Sequence, residues 1–229
     1  MSELWASPYF GIALSILAFW AGEKLQKKLK SPFCNPLLIA ILIIVIILLV
    51  FDIPYDSYNE GGAVINMFLA PATACLAVSI YTKLQLLKEN AIPILVGCTA
   101  GSLSSMGSVY VLCKLFGLDE AMTASLLPKS ITTAIGIGVS EELGGHVSVS
   151  VVVIIVTGVL GNIFAEKFLK LLSIKEPIAK GIAIGCSAHA LGTAKAMEMG
   201  TIEGAMSSLS IVVCGVMTVV GSSIFALFM

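Results

Sequence analysis

A chain of 229 residues that is 58% hydrophobic and only 12% charged, with a mean hydropathy of +1.02, lacks the ionic residues that clothe a soluble domain. It reads as a helical membrane domain. The net charge of -1 and pI near 6.1 offer no basic face to nucleic acid.

The first apolar segment runs from Pro8 to Gly22, extended by the stems of Lys24, Lys27 and Lys28. The second, Asn35 to Phe51, is almost all Ile, Leu and Val and suits lipid contact. A third, Gly62 to Tyr81, carries Asn66, Pro71, Thr73 and Ser79, the profile of a buried or pore-facing helix. The fourth, Ala91 to Leu115, mixes Gly97, Gly101 and Gly107 with Ser102, Ser104, Ser105 and Ser108, small residues that permit close packing in a bilayer. The fifth, Ala121 to Ser140, is interrupted at Pro128. Val147 to Leu172, Ile178 to Met197 and Ile202 to Phe228 complete the set. The expected fold is all-α and polytopic, with seven or eight membrane segments, some of them discontinuous or re-entrant. No linker is long or polar enough to divide the chain, so residues 1–229 are expected to form one integral membrane domain. Neither a positively charged leader nor a cleavage site precedes the first segment, which is expected to be retained. A bacterial or archaeal inner membrane suits the whole.

Charge bias bears on topology. The loop Glu23–Lys30 holds four lysines and one glutamate and is expected to be cytoplasmic, while Asp52, Asp56 and Glu60 suit the outside. Continuing the alternation through a complete fifth crossing would leave Lys167, Lys170 and Lys175 outside. Either the segment around Pro128 doubles back, or Glu166 and Glu176 dilute a weak bias. A repeat reading leans toward doubling back. Segments starting at Asn35, Gly62 and Ala91 have similarly spaced counterparts near Ser148, Ile178 and Ile202. An inverted repeat of halves 1–115 and 120–229 would put substrate contacts at the interrupted helices of both.

Two constellations could carry chemistry. In Leu127-Pro128-Lys129-Ser130-Ile131-Thr132-Thr133, proline removes a backbone donor and frees carbonyls, and the following helix would begin with its N–H groups at the break. Hydroxyls and one lysine at a helix N-terminus suit a small carboxylate. An ordinary proline kink with a snorkelling lysine is the plainer alternative. In His189-Ala190-Leu191-Gly192-Thr193-Ala194-Lys195, His189 and Thr193 share a face if the helix is continuous. The imidazole could bind a carboxylate or move a proton, or simply bond a carbonyl. Lys195 could do no more than mark a helix end. Glu141 is a candidate for proton coupling.

The cysteines Cys34, Cys75, Cys98, Cys113, Cys186 and Cys214 are not spaced as a disulfide scaffold or metal motif, and are expected to be small packing residues with no metal bound. His146 and His189 are too few for a histidine site. No base and orienting acid accompany the serines, and no nucleotide loop is present, so neither an enzyme nor a cofactor is expected.

Several stretches together resemble one family. Asn35-Pro36-Leu37, Leu69-Ala70-Pro71-Ala72-Thr73, Leu127-Pro128-Lys129-Ser130-Ile131-Thr132 with Glu141, and His189-Ala190-Leu191-Gly192-Thr193 occur in the order found in the LrgB/CidB, or antiholin-like, membrane proteins. The resemblance covers nearly the whole chain. It implies modulation of murein hydrolase activity and lysis, together with a smaller four-span LrgA/CidA-like partner. A plastid relative in which both parts are fused transports glycolate and glycerate, and some bacterial pairs are linked to pyruvate uptake. Carried over by motif, the substrate site would comprise Pro128, Lys129, Ser130, Thr132, Thr133, His189 and Thr193, with Asn35, Pro71 and Thr73 from the first half. The expected function is carriage of a small monocarboxylate within a homo- or hetero-oligomer in the bilayer. A non-transporting regulator of a holin is the alternative.

Overall fold

The computed structural model describes residues 5, 7–29, 36–68, 71, 74, 81 and 84–228, and all regular structure among them is helical. The chain packs as two compact units, Met1–Leu76 and Ala77–Met229.

In the first unit, α1 (Pro8–Leu29) packs on α2 (Pro36–Val50) and α3 (Tyr55–Asn66). The buried stripe of α1 is Gly11, Ala18 and Gly22, positions seven and four apart on one helix face. Gly11 meets Gly61 of α3 backbone to backbone, and a side chain at either position would collide with the other helix. Ser15 and Tyr58 join hydroxyls at 2.9 Å across the same contact. Much of the segment expected from Gly62 to Tyr81 lies outside the described residues. Its first part, through Asn66, belongs to α3, which starts at Tyr55 directly after Pro54, whose fixed φ suits the lead-in to a helix.

The second unit contains α4 (Leu84–Glu89), α5 (Ala91–Leu115), α6 (Glu120–Leu126), α7 (Thr133–Glu142), α8 (Val147–Leu171), α9 (Pro177–Met199) and α10 (Thr201–Phe225). Helices α5 and α8, and α10 with the 3-10 turn that closes it, are long and apolar enough to cross a membrane. Their exposed faces carry Leu95, Leu103 and Val111, Val152 and Val156, and Val216 and Val220. Lipid is the solvent such faces require. The interior is built from small and sulfur-bearing residues. Gly181 and Gly185 of α9 lie against Met206, Ser207 and Ser210 of α10, and Ile94, Cys98, Ile182, Cys186, Met206, Leu209 and Cys214 form the main core. Buried Ser210 donates back to Met206 O one turn earlier, so its hydroxyl enters the apolar core already paired.

Two segments of this unit reverse direction. Helices α6 and α7 have seven and ten residues, about 10 and 15 Å, and neither alone spans a bilayer core. After α7 the chain returns to α6. His146 N donates to Ser125 Oγ (2.6 Å), and Ser150 Oγ donates to Ser125 O and to Ser140 Oγ (both 2.8 Å). Pro128 lies at the turn, as the sequence suggests.

Helix α9 turns back as well. His189 has φ 41° and ψ -136° inside it. The arms 177–188 and 190–199 then lie side by side. A Cβ on Gly192 would fall 2.9 Å from Ile184 Cγ2 and 3.3 Å from Ile184 O, eight residues back, where a straight helix would separate them by about 12 Å. Ile184 and Ala196 share a buried cluster with Leu169 of α8, and Ile174 packs there beside Met199. The segment Ile178–Met197 therefore doubles back on itself.

Candidate functional site

The turn between α6 and α7 is anchored by apolar residues and leaves polar ones facing inward. Leu127, Pro128 and Ile131 are buried, with Leu127 in a cluster with Met106, Val109 and Cys113 of α5. Between them Lys129 points at α5. Its Nζ donates to Ser105 Oγ (3.3 Å) and Ser130 Oγ (3.2 Å), and the two hydroxyls bond each other at 2.9 Å. An ammonium has three N–H donors. No carboxylate among the described residues lies within ion-pair distance of Lys129. One ammonium donor and one of the two hydroxyl protons are thus left for another acceptor. Thr132 stands at the N-cap of α7 without bonding its helix, and its buried hydroxyl has no partner among the described residues. Thr133 is the first helical residue and half-buried.

The second turn is held by side chains from α8 and α10. The ring of His189, 4% exposed, lies over Gly158, where a Cβ would come within 2.6 Å of Cε1. Its Nε2 pairs with Ile154 O at 2.9 Å. Thr193 Oγ1 donates to His189 O (2.9 Å) and shares a 2.6 Å bond with Ser207 Oγ. Asn162 Nδ2 donates to Leu191 O at 2.7 Å. These bonds tie the turn to α8 and α10. At the base of the hairpin, Lys195 pairs with Glu166 (3.6 Å) and Glu198 (3.1 Å), so it ties α9 to α8 beyond marking a helix end.

Both turns rest on the same stretch of α8. Gly136 of the first hairpin packs on the Ile154 side chain, and His189 of the second bonds the Ile154 carbonyl. A cavity of about 1180 Å³ opens beside them between α5, α8 and the first arm of α9. Lys129 and Ser130 form its polar wall with Ser104, Ser105, Thr157 and Ser187.

The sequence pattern of the LrgB-like family matches residues 15–228. The chain belongs to this family. It is 40% identical to the antiholin-like protein LrgB of Bacillus subtilis (strain 168) over 220 residues, covering 96% of this chain and 95% of that one. Identity is 39% to the antiholin-like protein LrgB of Bacillus mycoides (strain KBAB4) and 38% to that of Bacillus cereus (strain B4264), each over 97% of both chains. No solved structure matches.

In this LrgB-like chain Lys129 and Ser130 come together on the cavity wall, and Pro128 makes the turn that holds them. His189 and Thr193 lie at the second turn, bonded to protein groups, and do not line the cavity. Glu141 is exposed at the far end of α7 and also lies off its wall. Pro71 is helical and exposed in the other packing unit; Asn35 and Thr73 fall outside the described residues. Sequence reasoning missed Ser105, Gly158 and Asn162 as site-building residues. The signal available was Gly158, Gly161 and Asn162 interrupting the apolar run of α8.

Proposed function

We propose that this chain carries small monocarboxylates of the pyruvate or glycolate kind across a bacterial inner membrane. It would work beside an LrgA/CidA-like four-span partner, and its influence on murein hydrolases and autolysis would follow from that flux. The observation that carries the reading is Lys129: a half-buried ammonium with no counter-ion among the described residues, facing a cavity beside two helix reversals. Ionisable groups at membrane depth are costly and mark substrate paths. The unused ammonium and hydroxyl donors match the two oxygens of a carboxylate. The cavity is much larger than a three-carbon acid, so the polar wall defines the site and the apolar remainder admits lipid or protein.

The two hairpins support a topology as well. If both are re-entrant, entering from opposite faces and meeting at α8, then Lys167, Lys170 and Lys175 fall on the cytoplasmic side, as the charge bias requires. Discontinuous helices near the midplane are where carriers hold substrates. In this reading Lys129, Ser130 and Ser105 touch substrate, whereas Pro128, Thr132, Thr133, His189 and Thr193 position the turns.

The name of the Bacillus relatives favours a second reading, a regulator that restrains a holin without transporting anything. Proteoliposomes separate the two. The expected result is saturable uptake of labelled pyruvate or glycolate, with or without the A-like partner. Folded protein that takes up neither acid, nor lactate, across an imposed pH gradient, yet alters the partner's ion leak, would establish the regulator instead.

A further inference from the structure

Three cysteines from three helices meet in the core of the second unit. Cys98 of α5 and Cys186 of α9 are 88 residues apart, and Cys214 of α10 lies 28 beyond Cys186. Their sulfurs nevertheless all fall within 4.8 Å of one another, with Cys186 Sγ 3.6 Å from Cys98 Sγ and 3.0 Å from Cys214 Sγ. All three are buried. A fourth polar group stands beside them: Ser102, one turn beyond Cys98, has a buried hydroxyl set against the Cys214 thiol, with no other partner among the described residues. Packing alone explains one buried thiol. Convergence of three from separate helices, with a buried hydroxyl beside them, is the arrangement of a ligand set.

We propose that Cys98, Cys186 and Cys214 form a binding site for a soft monovalent d10 cation, the chemical class of Cu(I). Thiolates select soft ions over the hard cations that take oxygen ligands. Zinc prefers four nitrogen or sulfur ligands, and among the described residues no histidine or carboxylate joins the three sulfurs. Around a three-coordinate ion with metal–sulfur bonds of about 2.3 Å, the sulfurs sit about 4 Å apart, so the cluster needs only a slight opening. Each thiol that coordinates as a thiolate releases its proton on binding, so affinity should rise with pH.

The site has a route in, because Cys186 also lines the cavity. A bound ion would tie the first arm of the second hairpin to α5 and α10. The binding claim is independent of whether the chain carries carboxylates.

Anaerobic titration of the purified full chain with Cu(I), against a competing chromogenic chelator, tests it. One equivalent should bind, and X-ray absorption should show a shell of three sulfurs. Cys98→Ser, Cys186→Ser and Cys214→Ser should each weaken binding by about tenfold or more. Cys113→Ser, in a neighbouring cluster on α5, should leave it unchanged. Should a substitution unfold the chain, the wild-type sulfur shell decides. Folded wild type that takes up no ion, binds it through nitrogen or oxygen, or binds equally well without these thiols would overturn the site.

Discussion

The Lys129 ammonium is half-buried and, among the described residues, bonded only to two serine hydroxyls. His189 is the second unusual residue. Its φ of 41° is a conformation glycine adopts freely, and a side chain there costs of the order of 1–3 kcal/mol. What the histidine contributes in return is its bond to Ile154 O, which fixes the second turn on α8. His189→Gly loses that bond but relieves the strain, whereas His189→Ala loses the bond and keeps the strain. Thermal unfolding in detergent should therefore rank the glycine variant above the alanine variant by about 1 kcal/mol. The reverse order would mean that the turn carries no strain at His189, leaving only glycine's larger loss of backbone freedom on folding.

At the scale of elements, the two hairpins were unequally legible in the sequence. Pro128 announces its turn, since proline cannot continue the ladder and Lys129 and Ser130 follow it in an apolar run. The second reversal has neither proline nor glycine at its apex, and a polar interruption near His189 is all the pattern offers. Its cause is tertiary: Gly158 leaves room for the ring, and Asn162 and Ser207 complete the bonding around the turn. The thiol cluster was illegible for a similar reason, because residues 88 and 28 positions apart carry no motif. The close approach at Gly158 gives a direct check. Gly158→Ala puts a methyl group within 2.6 Å of the His189 ring and should destabilise the second hairpin by about 1–3 kcal/mol. Hydrogen exchange would register this as faster exchange over 177–199, with α10 unchanged.

For the whole molecule, re-entrant hairpins must each begin and end on the same side of the membrane. Single cysteines replacing Glu120 and Glu142 should react with an impermeant maleimide from the periplasmic side. Those replacing Lys175 and Glu198 should react only from the cytoplasm. Opposite sidedness within either pair would make that segment a crossing. Membership of the LrgB-like family fixes the membrane setting, and the solute reading adds what the hairpins and the cavity support.

The most direct measurement is equilibrium binding of labelled pyruvate and glycolate to the purified chain in nanodiscs, wild type against Lys129→Ala. A charge-assisted hydrogen bond contributes about 2 kcal/mol, so saturable wild-type binding should weaken roughly thirtyfold in the variant. Equal affinity in the two folded proteins would contradict a carboxylate site at Lys129.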